Sequence, residues 1–233
     1  MTGTGTLINV GTVLLGTLIG VLIGHRLPPG IQQRALFGLG MVTLVLGIDG
    51  ALAWRDTNPI IVMGGVLLGG IAGEVIGIER RLGQLGDYLQ RRFAGEGHSR
   101  ISEGFVSASL LFCVGPLTVV GSIQDGLTGD YDQLAAKALL DGFASIALAS
   151  TLGWGVGLSV FTILVYQGGI TIGASFFSDV LTGEALAALT SAGGVTIIGI
   201  SLKLLSIRDV KVANYLPALV IAPGLVGLVS LVT

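Results

Sequence analysis

Acidic and amide side chains interrupt runs of leucine, valine, isoleucine and glycine at several points of this 233-residue chain. Asp141 is flanked by Leu139, Leu140, Phe143 and Ile146, and Lys137 precedes it by four residues. On a helix that spacing puts the two on one face, where they can pair. Glu74 breaks the apolar segment that ends at Gly77, and three Asp-Gly pairs stand at Asp49-Gly50, Asp125-Gly126 and Asp141-Gly142. A charge in the middle of a membrane-spanning helix costs about 2.5–3.5 kcal/mol on insertion scales, so each of these groups needs a partner, a wet cavity or a function. Carboxylates lining an apolar wall concentrate cations.

Uncharged polar groups occur in the same surroundings: Asn9, Thr118, Gln124, Ser145, Ser150, Gln167 and Asn214. Gln167 stands beside Gly168-Gly169, where a helix break would free carbonyls for ion coordination. The candidate ion- or substrate-binding set is therefore Asp141, Glu74, Asp125, Gln124, Asp49, Gln167 and Asn9. Each member also has a structural reading. Glu74 lies near a helix end and can snorkel to the interface, Asp-Gly favours turns, Lys137 and Asp141 can form a purely structural pair, and amides often bond between helices.

The elements that must position these residues follow from composition. The chain is 52% hydrophobic and only 11% charged, with a mean hydropathy of +0.88. A soluble domain carries about 25% charge. Thirty-nine glycines without a triplet repeat point to closely packed membrane helices rather than to collagen. The expected fold is all-α, a polytopic transmembrane helical bundle forming a single domain over residues 1–233. Spans are expected at 6–24, 34–54, 59–78, 104–124, 134–152, 155–178, 187–205 and 213–231. The 134–178 stretch is too long for one helix, and Gly153-Trp154-Gly155 is its only break. No base precedes Arg26, so the first span lacks the charged start of a signal peptide.

Eight spans put ten of the twelve bases on one side of the membrane and leave Arg55 and Lys137 on the other. The positive-inside rule then places both termini outside and the 79–103 loop in the cytoplasm. In that loop Arg80, Arg81, Arg91 and Arg92 alternate with Leu82, Leu85, Leu89 and Phe93, a pattern suited to lying on an anionic bilayer surface.

Two glycine-rich helices read as copies. Gly11 to Gly24 aligns without gaps to Gly64 to Gly77, and Glu74 takes the place of Val21. Both carry glycines at four-residue intervals, Gly16/Gly20/Gly24 and Gly65/Gly69/Gly73/Gly77, a face on which a neighbouring backbone can approach closely. That neighbour is either another helix of the chain or a second protomer, and such faces in a small chain suit a homo-oligomer. Pro116 in the fourth span and Pro217 in the eighth are candidate kinks.

Other functions lack their residues. There is no Walker-type Gly-x-x-x-x-Gly-Lys and no His-Glu-x-x-His. The only histidines are His25 and His98, the one cysteine is Cys113, and no basic stripe suits nucleic acid. No catalytic set, metal site or cofactor is expected.

The segment from Cys113-Val-Gly-Pro-Leu-Thr to Gly129-Asp130, with Lys137-Ala-Leu-Leu-Asp-Gly-Phe-Ala-Ser145, resembles a bacterial membrane family named domain of unknown function 554. Gly3-Thr-Gly-Thr-Leu-Ile-Asn9, Leu27-Pro28, Tyr166-Gln167-Gly168 and Val212-Ala-Asn-Tyr-Leu-Pro217 fit the same family. The resemblance covers nearly the whole chain. It implies a polytopic bacterial inner-membrane protein classed with transporters, and it supplies no binding residues. The expected function is a transporter or channel for a small ion or solute, a cation by the carboxylates, with the lipid bilayer as its other partner. The alternative is a non-transporting scaffold or sensor acting through the 79–103 loop.

Overall fold

A computed structural model describes residues 2–24, 26–93, 101–113, 116–181 and 183–230. The described residues are helical and contain no strand. Eleven α-helices follow in order: α1 Thr4–Gly24, α2 Pro29–Ala51, α3 Pro59–Ile76, α4 Ile78–Phe93, α5 Ile101–Cys113, α6 Pro116–Thr128, α7 Asp132–Leu152, α8 Gly155–Ile172, α9 Ala174–Val180, α10 Gly183–Leu204 and α11 Ala218–Ser230. Short 3-10 turns cover Leu52–Asp56 and Val212–Tyr215. Seven helical segments are long and apolar enough to cross a membrane, and the bent pair α5–α6 makes an eighth.

The chain divides into two compact units. The first holds residues 1–39, 81–113 and 117–175, and the second holds 40–80, 114–116 and 176–233.

In the first unit, the glycine ladder of α1 seats against α7. A methyl on Gly16, Gly20 or Gly24 would run into the backbone carbonyl of Gly142, Ile146 or Ser150 respectively. The partner of this ladder is thus a helix of the same chain. Because contacts advance together along both helices, α1 and α7 run parallel. Helices α5 and α8 are also parallel, since Ile101 meets Gly155 and the hydroxyls of Ser109 and Thr162 hydrogen-bond at 2.9 Å. Helix α1 opposes α8: Thr17 packs on Gly157 near one end, while Thr6 meets Gln167 near the other. The turn joining α7 to α8 is tight because Gly153 adopts a φ of 72°, a conformation that glycine enters at little cost. The expected hairpin within 134–178 is thereby present.

Helices α5 and α6 diverge by 62°. Proline at the first position of α6 cannot continue the preceding helix. The hydroxyl of Thr118 donates to the carbonyl of Phe112 at 3.2 Å, satisfying an acceptor that Pro116, which has no N–H, would leave unpaired even in a continuous helix. The start of α5 lies at the start of α8, through Ile101 and Gly155, whereas Gly126 near the end of α6 packs on Thr171 near the end of α8. The broken pair therefore covers the same span as α8. It is one interrupted crossing rather than a loop returning to its side of entry. The directions of α1, α5–α6, α7 and α8 all fit an eight-span alternation.

In the second unit, α3 uses its own glycine ladder. Gly65, Gly69 and Gly73 meet Ala222, Ala218 and Asn214, in reverse order, so α3 and α11 are antiparallel. Val62, Ala188, Ala192, Ala218 and Ala222 form the core between α3, α10 and α11. Small residues here allow backbone-to-backbone packing, which drives helix association where lipid offers no hydrophobic gain. Gly77, with a φ of 72°, caps α3 and turns the chain into α4.

Within the 79–103 segment, α4 is helical and Arg80 and Arg81 are exposed. Residues 94–100, including His98, lie outside the described residues, as do His25 and half of the α4 side chains.

Candidate functional site

Several polar residues of the first unit form a buried network, and Asp125 makes a separate contact with the same helix α1. The face of α1 that carries the glycine ladder continues through Val13 to Asn9, so the packing that brings α7 close also buries the amide. On α7 the buried stripe includes Leu134, Lys137, Asp141, Ser145 and Leu148, at three- and four-residue steps. Gln167 lies on the buried face of α8, and Asp125 is near the end of α6.

The amide nitrogen of Asn9 donates to Asp141 Oδ2 at 3.0 Å and to Gln167 Oε1 at 3.0 Å. Gln167 in turn donates to the hydroxyl of Thr6 at 3.2 Å. Lys137 and Asp141 form an ion pair through the same Oδ2. Asp125 accepts the backbone N–H of Gly5 at 3.2 Å, tying α6 to the first turn of α1. Asn9, Asp125 and Gln167 are fully buried, and Lys137 and Asp141 are less than a tenth exposed.

Desolvating such groups is costly unless paired, so a cluster of this size inside apolar helices is satisfied by protein groups, by buried water or by a ligand. Here satisfaction is incomplete. Among the described residues, Asn9 Oδ1, Asp125 Oδ1 and Ser122 Oγ are buried without a hydrogen-bond partner.

Of the seven residues selected from sequence, the structure joins Asn9, Asp141 and Gln167 directly and places Asp125 one turn of α1 away from Asn9. Gln124 instead donates to Asp130 Oδ2 at 2.6 Å in an exposed turn after α6. Asp49 and Glu74 belong to the second unit and are exposed. Glu74 pairs with Lys211 at 3.0 Å and accepts from the amide of Asn214. The snorkelling alternative for Glu74 matches this placement.

Three contributors were not selected from sequence. Thr6 stands three residues before Asn9, and Ser122 three before Asp125, so helical spacing could have found both. The Gly5 N–H carries no side-chain signal. It is available because it belongs to the first turn of α1, where N–H groups lack intrahelical partners.

The fold and this cluster define a polytopic helical membrane protein with ionisable and amide side chains held inside its helix packing. The chain belongs to the family described as Protein of unknown function (DUF554), whose model matches residues 4–227. It is 29% identical over 221 residues to the Uncharacterized membrane protein YdfK of Bacillus subtilis (strain 168), covering 94% of this chain and 93% of that protein. It is 28% identical over 222 residues to the Uncharacterized protein YqgA of Escherichia coli (strain K12), covering 94% of each. No solved structure matches the chain.

Proposed function

We propose that this protein is a transporter or channel for a small cation in the bacterial plasma membrane, and that the Asn9–Asp141–Gln167 cluster lies on the pathway. The observation that carries this reading is the Asp141 carboxylate, held by Asn9 and Lys137 inside a unit of spanning helices. Intramembrane ionisable groups of this kind mark ion paths and relays, because apolar packing alone would be cheaper than burying them.

The residues divide the work by chemistry. Asp141 supplies the negative charge. Asn9 bridges it to Gln167, fixing the carboxylate between α1, α7 and α8. Lys137 neutralises Asp141 when no other cation is present, and an incoming cation competes with its ammonium for Oδ2. Beside the α5–α6 break, Thr118 caps the Phe112 carbonyl, so that acceptor is not stranded in the apolar interior. By the charge bias of the loops, both termini face outward and the cluster is closer to the outer surface.

Cation flux into proteoliposomes, measured per folded protein, tests the reading. Asp141→Asn should abolish flux that the wild type supports. Full flux in that variant would contradict it.

A further inference from the structure

We propose that Asp125, Ser122 and Asn9 form a binding site for a small monovalent cation, with sodium as the first candidate, where α6 meets α1 in the first unit. The proposal rests on the transport reading for its role in the cell, and it assigns that reading a site and an ion class.

Three side chains carry it. Each is fully buried, and each presents an oxygen with no partner: Asp125 Oδ1, Ser122 Oγ and Asn9 Oδ1. A carboxylate offers about four acceptor positions when ionised, yet among the described residues Asp125 Oδ1 has no partner and the Gly5 N–H donates to the other oxygen. The Asn9 amide nitrogen is committed to Asp141 and Gln167, so its carbonyl oxygen is left as a free acceptor. The Asp125–Gly5 bond and helical spacing are what group these oxygens. Ser122 and Asp125 share a face of α6 at a three-residue step. Asn9 lies four residues beyond Gly5, a rise of about 6 Å along α1. Asp125 Oδ1 and Asn9 Oδ1 can only accept, and a cation would satisfy both together with the lone pairs of Ser122 Oγ.

Charge and donor type set the ion. With both carboxylates ionised, Asp125 and Asp141 outnumber Lys137 by one, so a single positive charge balances them, whereas a divalent ion would leave an excess. The donors are all oxygen, which suits hard cations. Calcium draws on more carboxylates than this. Among the described residues no group of three or more His, Cys, Asp or Glu could hold a metal, which argues against a transition-metal site.

The test is thermal unfolding of the full chain in detergent, titrated with sodium chloride against choline chloride at constant ionic strength, with lithium and potassium chloride in parallel. Sodium should raise the melting temperature by about 5 °C or more at roughly a hundredfold excess over Kd. The order of lithium, sodium and potassium reports the size the site prefers, and Asp125→Asn should abolish the sodium response. Should that variant fail to fold, Ser122→Ala keeps the charge and removes one ligand, and its apparent sodium affinity should fall about tenfold. Identical unfolding of the wild type in sodium and choline overturns the site, as does an unchanged sodium response in Asp125→Asn. Proteoliposomes of the same preparations separate the two readings. Cation flux without sodium stabilisation removes this site and leaves transport, whereas sodium stabilisation without flux of any cation leaves the site and removes transport.

Discussion

Asn9 and Asp141, 132 positions apart in sequence, are joined by a 3.0 Å hydrogen bond between α1 and α7. The bond is possible because Gly16, Gly20 and Gly24 let the two helices approach until backbone touches backbone. Packing and candidate chemistry in the first unit therefore share one helix face: the small residues set the distance, and the amide exploits it.

The glycine face gives the first prediction. Gly16→Val should destabilise the protein by about 1–3 kcal/mol or prevent its accumulation, because the added atoms meet the carbonyl of Gly142. Gly11→Ala is the control, since a methyl at Gly11 meets nothing within 4 Å. It should be neutral or stabilising by about 0.5 kcal/mol. Melting temperatures in detergent decide.

A second prediction concerns the ion pair. Removing one partner of a buried pair leaves the other uncompensated, at a cost of about 3–5 kcal/mol. Asp141→Asn alone should thus lower stability by up to that amount, because the Lys137 ammonium loses its counter-charge. Combining it with Lys137→Met should recover most of the loss. A double mutant no more stable than the single one would show that the pair is not coupled. Flux should stay abolished in both, so that stability and transport separate.

In the second unit, Asn214 accepts the N–H of Glu79 at 2.8 Å, and Glu79 accepts the N–H of the adjacent Ala213 at 2.8 Å. This reciprocal pair fastens the start of α4 to the turn before α11. Asn214→Ala should cost about 1–2 kcal/mol, read as a lower unfolding temperature. An unchanged temperature would assign the clasp to the Ala213–Glu79 bond alone.

Much of this architecture was legible before any coordinates. Hydropathy marked the seven long helices and the region of the bent α5–α6 pair, because about twenty apolar residues are needed to span a bilayer whatever their partners. The hairpin at Gly153 and the break at Pro116 were legible because glycine and proline act through local backbone geometry. The ladders announced close packing but not its partner: a run of small residues says that something approaches, and only the fold shows that α7 and α11 do. The site was legible in part for the same reason. Asp141, Asn9 and Gln167 are conspicuous in apolar surroundings, but their meeting depends on helix order in space. Glu74 was equally conspicuous and is exposed, because its height on α3 lets the carboxylate reach Lys211 and Asn214. Sequence shows that an acid interrupts a span; it does not show which way the helix turns it.

The most direct measurement is cation uptake by proteoliposomes carrying equal amounts of folded wild type, Asp141→Asn and Glu74→Gln. Uptake in the wild type, its loss in Asp141→Asn and its retention in Glu74→Gln is the result expected of a path through the first unit. Equal uptake in all three, or none in the wild type for any small cation, would contradict it.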